Sequence, residues 1–99
     1  MPATIVGTDG PDIIRGTQGS DVIVAKGGDD IIFGFGGDDI ICAGDGNDLI
    51  FAGGGNDRVF GEGGNDALFG GQGDDFLDGG SGVDFCRGGA GTNTLANCE

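Results

Sequence analysis

The sequence predicts an all-β, parallel β-solenoid of about five two-strand coils, and three observations carry that prediction. From Gly7 to Ala96 the 99-residue chain repeats every nine residues without insertion or deletion, and a fixed period outranks local propensity. The fourth place of all ten units is glycine, from Gly10 and Gly19 through to Gly91. The eighth place is almost always aliphatic: Ile14, Ile23, Ile32, Ile41, Ile50, Val59, Leu68, Leu77, Cys86 and Leu95.

The elements follow in order along one domain. Extrapolated one unit backwards, the eighth place falls on Ile5, so residues 1–6, with Thr4-Ile5-Val6, read as a truncated first strand. Residues 7–96 are the ten nonapeptides and residues 97–99 a short tail. Places one to six of each unit are rich in Gly, Asn and Asp, which tolerate positive φ and build tight turns. Places seven to nine, as in Ile31-Ile32-Phe33 or Leu49-Ile50-Phe51, are short β-formers bounded by those turns. Side chains alternate along a strand, so place eight points into the core and places seven and nine outward. Two units make one coil, and unit n stacks on unit n+2.

Composition says what such a coil lacks. There are 26 glycines, and 17 acids stand against 4 bases for a net charge of −13. Glycine loses the most backbone entropy on folding and the charge repels itself, so hydrophobic burial alone is not expected to fold the chain. A disordered acidic linker would share this composition but would not keep an aliphatic at every ninth residue. The charge argues against nucleic acid and anionic membrane as partners and points to cations. No run approaches the ~18 apolar residues of a membrane span. Met1-Pro2 lacks the basic start and apolar stretch of a secretion leader, so an export signal is expected outside these residues.

The sixth place names the cation's partner. It is aspartate in nine units, at Asp12, Asp21, Asp30, Asp39, Asp48, Asp57, Asp66, Asp75 and Asp84, and only Asn93 departs. Strands ~4.8 Å apart would stack these into two columns, one along each edge. Like charges at that spacing repel by roughly 3 to 4 kcal/mol per pair at an effective dielectric of 20, so an empty column opposes stacking and a divalent ion reverses the sign. Calcium suits the site. His is absent and the cysteines lie outside the turns, which disfavours zinc, while magnesium demands near-ideal octahedral geometry. Turn preference alone would accept Asn or Ser, and place five, with Pro, Ser, Asp, Asn, Val and Thr, reads as such relaxed chemistry.

The unit resembles the GGxGxDxUx nonapeptide of the repeats-in-toxin (hemolysin-type) family, most closely at Gly70-Gly71-Gln72-Gly73-Asp74-Asp75-Phe76-Leu77-Asp78, and the resemblance covers nearly the whole chain. It implies a right-handed parallel β-roll holding Ca2+ between successive coils. It implies that the nine aspartates bind through their carboxylates. Backbone carbonyls complete the shell, including those at places one and three: Ala25 and Gly27, Gly34 and Gly36, Ala43 and Asp45, Ala52 and Gly54, Gly61 and Gly63. Ala25, Ala43 and Ala52 replace the first glycine, to which a carbonyl is indifferent; Lys26, Phe35 and Glu62 replace the second and put the turn geometry in question. Four stacked turn pairs on each edge allow eight sites. Eight Ca2+ would carry +16 against the chain's −13, which supports six to eight ions, the Asp75 and Asn93 pair being weakest and the Asp12 turn loosened by its terminal place and Pro11. Linkage then makes calcium a folding switch, with disorder at cytoplasmic calcium and a rigid roll at extracellular levels, where the protein is expected to act.

The remaining residues set secondary expectations. A Cys86 to Cys98 disulfide would cap the C-terminal end, whereas Cys42 at an outward ninth place reads as an unpaired thiol. Phe33, Phe51 and Phe69 fall on successive coils of one sheet beside Ile31 and Leu49; Val24, Ile40 and Phe60 lie on the other. Such apolar surface suits self-association, as do open roll ends. No His or Tyr and only two serines, each inside a turn, leave no nucleophile and base constellation, so a non-catalytic module is expected. The rival is a structural subunit assembling into an extracellular filament or surface layer. Ice binding would want outward Thr columns, but Thr8, Thr17, Thr92 and Thr94 cluster at the ends.

Overall fold

The computed structural model describes residues 3–98. Eleven strands follow the nine-residue period: β1 (Ala3–Val6), β2 (Ile13–Arg15), β3 (Asp21–Val24), β4 (Ile31–Phe33), β5 (Ile40–Cys42), β6 (Leu49–Phe51), β7 (Arg58–Phe60), β8 (Ala67–Phe69), β9 (Phe76–Asp78), β10 (Phe85–Arg87) and β11 (Thr94–Ala96). Odd strands form one parallel sheet in the order β1-β3-β5-β7-β9-β11, and even strands form the other, β10-β8-β6-β4-β2. Residues eighteen apart are in register, as in Ile14 with Ile32 and Ile32 with Ile50. The truncated unit takes its expected place, with Ile5 opposite Ile23. The fold is therefore the β-solenoid of about five turns that the period predicts.

The thin dimension of the molecule is 15 Å, enough for one layer of side chains between sheets ~10 Å apart. That layer is the eighth-place column. Ile23, Ile32, Ile41, Ile50, Val59, Leu68 and Leu77 are fully buried and Ile14 nearly so. Ala25, Ala43 and Ala52 are buried with them, so the methyls at the first place are core atoms rather than bystanders. The column ends before the sequence pattern does. Cys86 is only partly buried against the core, and Leu95, on the last described strand, is 48% exposed.

The C-terminal end is closed covalently. Cys86 and Cys98 are joined by a disulfide, with Cα atoms 5.7 Å apart; closing a loop of this length contributes roughly 3 kcal/mol in the chain-entropy model. Cys42 is free and half-buried, and burial, then the charge of Glu62, holds its thiol above the usual range. On the outer face of the even sheet, Phe33, Phe51 and Phe69 stack with centroids 5.4 and 5.2 Å apart. Phe85 continues the ladder in a tilted contact with Phe69.

Candidate metal centre

Each turn delivers its sixth-place aspartate inward. The turn needs a left-handed residue at the second and fourth places, and the interior units supply it: Gly37, for instance, has φ +82°, and a Cβ there would lie 2.5 Å from the Gly19 carbonyl oxygen. Lys26, Phe35 and Glu62 adopt the same conformation without being glycine, with φ of 71°, 65° and 68°. The turn geometry survives these substitutions, at a cost of roughly 1–2 kcal/mol each in this region.

Thus placed, Asp21, Asp30, Asp39, Asp48, Asp57, Asp66, Asp75 and Asp84 are all at most 3% exposed, and Asp12, on the first coil, is half-buried. They form the two predicted columns, linked by hydrogen bonds. The Asp12 amide donates to Asp30 Oδ1 at 2.8 Å, Asp30 to Asp48, Asp48 to Asp66 and Asp66 to Asp84. Along the other edge the Asp21 amide donates to Asp39, Asp39 to Asp57, Asp57 to Asp75, and Asp75 to Asn93 Oδ1.

The second carboxylate oxygen is bare. Oδ2 of Asp30, Asp39, Asp48, Asp57, Asp66, Asp75 and Asp84 is buried without a hydrogen-bond partner. An unsatisfied buried polar atom costs about 1–3 kcal/mol and more when charged, so seven of them match or exceed the ~5–15 kcal/mol total stability of an ordinary domain. Protonation is one relief. Burial, reinforced by neighbouring column carboxylates, pushes Asp48 and Asp57 up to about 8, Asp66 up to about 7 and Asp39 up to about 6. Asp30 and Asp75 are raised for the same first reason, burial. Asp48 and Asp57 share their turns with the buried methyls of Ala43 and Ala52.

A cation is the other relief, and the donor set fits one. Around Gly34, the position a Cβ would take lies 2.8 Å from Asp39 Oδ2 and 2.5 Å from the Ala52 carbonyl oxygen; around Gly16 the partners are Asp21 Oδ2 and the Gly34 carbonyl, and around Gly7 Asp12 Oδ2 and the Ala25 carbonyl. First-place carbonyls thus meet aspartates of the preceding coil. Gly61 stands in its own turn against Asp66 Oδ2 and the Gly79 carbonyl. Third-place residues stack elsewhere. A Cβ on Gly36 would meet Gln18, one on Gly63 would meet Asp45 Oδ1, one on Gly27 would meet Asp9, and one on Gly54 would meet nothing within 4 Å. Among the described residues no group of three His, Cys, Asp or Glu side chains could hold a metal, so any cation here depends on backbone oxygen. All-oxygen ligation is that of a hard ion such as Ca2+.

Place five is more ordered than its variable composition suggests. The Asn47 amide donates to Asp29 Oδ1, Asn56 to Asp38, Asn65 to Asn47, Asp74 to Asn56, Val83 to Asn65 and Thr92 to Asp74, each at 2.8 Å. Ser20 accepts likewise from Asp38. The expectation of relaxed turn chemistry is corrected for Ser20, Asp29, Asp38, Asn47, Asn56, Asn65 and Asp74, which share a short side chain with an acceptor oxygen, while Pro11 and Val83 lack one.

A coil with carboxylate columns and bare oxygens along both edges defines a class, a β-solenoid built to hold oxygen-seeking cations in its turns. The family model described as the RTX calcium-binding nonapeptide repeat (4 copies) matches residues 4–32, 15–50, 33–68, 43–77 and 60–95, and the chain belongs to that family. No match is found among curated proteins or among solved structures.

Proposed function

We propose that this chain is a non-catalytic, extracellular module whose β-roll forms when Ca2+ binds between stacked turns. The observation that carries the reading is the row of seven buried, unpartnered Oδ2 atoms. Asp30, Asp39, Asp48, Asp57, Asp66, Asp75 and Asp84 supply the carboxylates, whereas Asp12 and Asp21 at the roll's start already have hydrogen-bond donors on theirs. Carbonyls at the first place, Ala25, Gly34, Ala43, Ala52 and Gly61, supply further oxygens. The family resemblance alone adds carbonyls at the third place, Gly27, Gly36, Asp45, Gly54 and Gly63, where the glycines' Cβ directions point away from the column aspartates. Bound Ca2+ supplies the positive charge that turns column repulsion into attraction. Because these oxygens converge only in the coil, binding free energy becomes folding free energy. Extracellular modules bind calcium with Kd of ~10⁻⁴ to 10⁻³ M, well above cytoplasmic levels.

A calcium titration followed by circular dichroism tests this: β-structure is expected to appear cooperatively in millimolar calcium and to be lost in chelator. Equal β content in both would overturn it. A second reading, a structural subunit that self-associates, draws on the Phe33, Phe51 and Phe69 stack. Light scattering on the same samples separates the two, since a module stays monomeric and a subunit grows.

A further inference from the structure

We infer that the protein's own hydrogen-bond donors fill the turns of Thr8, Thr17 and Asn93, so that these three turns take no metal. The inference rests on the calcium reading above and adds which turns are excluded from it.

The first two turns differ from all later ones. Every later unit has positive φ at its second place, from Lys26 and Phe35 to Gly89, whereas Thr8 and Thr17 are not among the positive-φ residues, nor are Gly10 and Gly19. In this conformation the Thr8 and Thr17 amides are aimed inward instead. Thr8 N–H donates to Asp12 Oδ2 at 2.7 Å, and its hydroxyl lies 2.9 and 3.1 Å from Asp12 Oδ1 and Oδ2. Thr17 repeats the arrangement on Asp21, at 2.7, 3.0 and 3.2 Å. The hydroxyls in turn accept from the Gly10 and Gly19 amides. Asp12 and Asp21 are accordingly the two column aspartates whose Oδ2 is not bare.

The C-terminal end reaches the same result with the donor reversed. Asn93 keeps the ladder bond through Oδ1, accepting from the Asp75 amide at 2.8 Å. Its Nδ2 replaces the second carboxylate oxygen and donates to the Gly89 carbonyl at 3.2 Å and the Gly91 carbonyl at 3.5 Å. An N–H group aimed at its own turn's carbonyls supplies partial positive charge there and repels an approaching cation. Donors fill the carboxylate side at one end and the carbonyl side at the other. These three turns are thus completed by covalently attached donors, whereas the Asp84 turn keeps its bare Oδ2.

The test is calcium stoichiometry on the full chain, by equilibrium dialysis with atomic absorption, with circular dichroism confirming the fold. T8G/T17G restores the second glycine and is expected to gain two ions per chain; N93D is expected to gain one. T8S/T17S, which keeps the hydroxyl, leaves the count unchanged. If T8G/T17G does not fold, N93D decides at the other end. Folded T8G/T17G and N93D with the wild-type count would overturn the inference while leaving the calcium reading intact, and a gain in T8S/T17S would overturn it equally. Wild-type protein that binds no calcium would instead remove the reading on which it stands.

Discussion

The fifth and sixth places of the repeat carry the same hydrogen bond in opposite directions, in different surroundings. At place five the later coil's amide donates down to an exposed side chain, as Asn56 does to Asp38. At place six the earlier coil's amide donates up to a buried one, as Asp39 does to Asp57. Place five accepts Asn or Asp indifferently at the same 2.8 Å, and Asn93 shows that an amide makes the sixth-place bond equally well. The ladder bond therefore does not explain nine aspartates at place six. What separates the two columns is the second oxygen, solvated in one and buried without a partner in the other.

The sharpest way to break that comparison is Asp57→Asn. The ladder bond to Asp39 survives through Oδ1, and only the bare oxygen is replaced. We expect the calcium concentration at the folding midpoint to rise and about one ion to be lost. In chelator the sign reverses: the variant is expected to keep more β-structure than wild type, because the bare oxygen gives way to an amide N–H that donates to its own turn's carbonyls as Asn93 does, relieving an unsatisfied atom that costs about 1–3 kcal/mol. Circular dichroism in both conditions reads the crossing. If Asp57→Asn behaves as wild type in both, the second oxygen has no special role.

Proton concentration should act on the sixth-place column. Column aspartates have folded-state values raised from 3.8 to about 6 at Asp39, about 7 at Asp66 and about 8 at Asp48 and Asp57. A raised folded value means that the folded state holds protons the unfolded state has released. The stability is fully present below pH ~4 and lost as pH rises through 6 to 8. Without calcium, coil formation is therefore expected to be favoured by acid between roughly pH 4 and 8. Saturating calcium displaces these protons and flattens the dependence, and calcium affinity weakens on the acid side. Melting curves at pH 5 and pH 8, with calcium and with chelator, check this; a calcium-free roll most stable at pH 8 would contradict it.

Most of the fold was legible because a period states what repeats: the eighth-place core, the two aspartate columns and the truncated first strand all follow from counting. The Cys86 to Cys98 bridge was legible because one partner sits at the open end and the other just beyond it. What the period conceals lies where units differ. Thr8 and Thr17 read only as threonines clustered at an end, no outward column, until their amides are seen bonded to Asp12 and Asp21. Leu95 keeps the pattern yet is exposed, on the edge strand of its sheet. Ala25, Ala43 and Ala52 look like neutral replacements because a sequence does not show that a first-place methyl points into the core. Place five was missed because Ser, Asp and Asn have little in common as letters beyond an acceptor oxygen near the backbone.

Asn56 gives the finest test of the contrast between columns. Asn56→Ala removes the acceptor for the Asp74 amide at an exposed site, which water can partly replace, so a loss of about 0.5–1.5 kcal/mol is expected. Asn56→Asp keeps the acceptor and adds a solvated charge, as Asp38 and Asp74 already do at the same place. In calcium it should fold within about 0.5 kcal/mol of wild type, the usual range for a surface substitution. Chemical unfolding of both variants in saturating calcium measures the difference. If Asn56→Asp costs as much as Asn56→Ala, the fifth place is sensitive to charge rather than to the acceptor, and the distinction between a structural ladder and a carboxylate column dissolves.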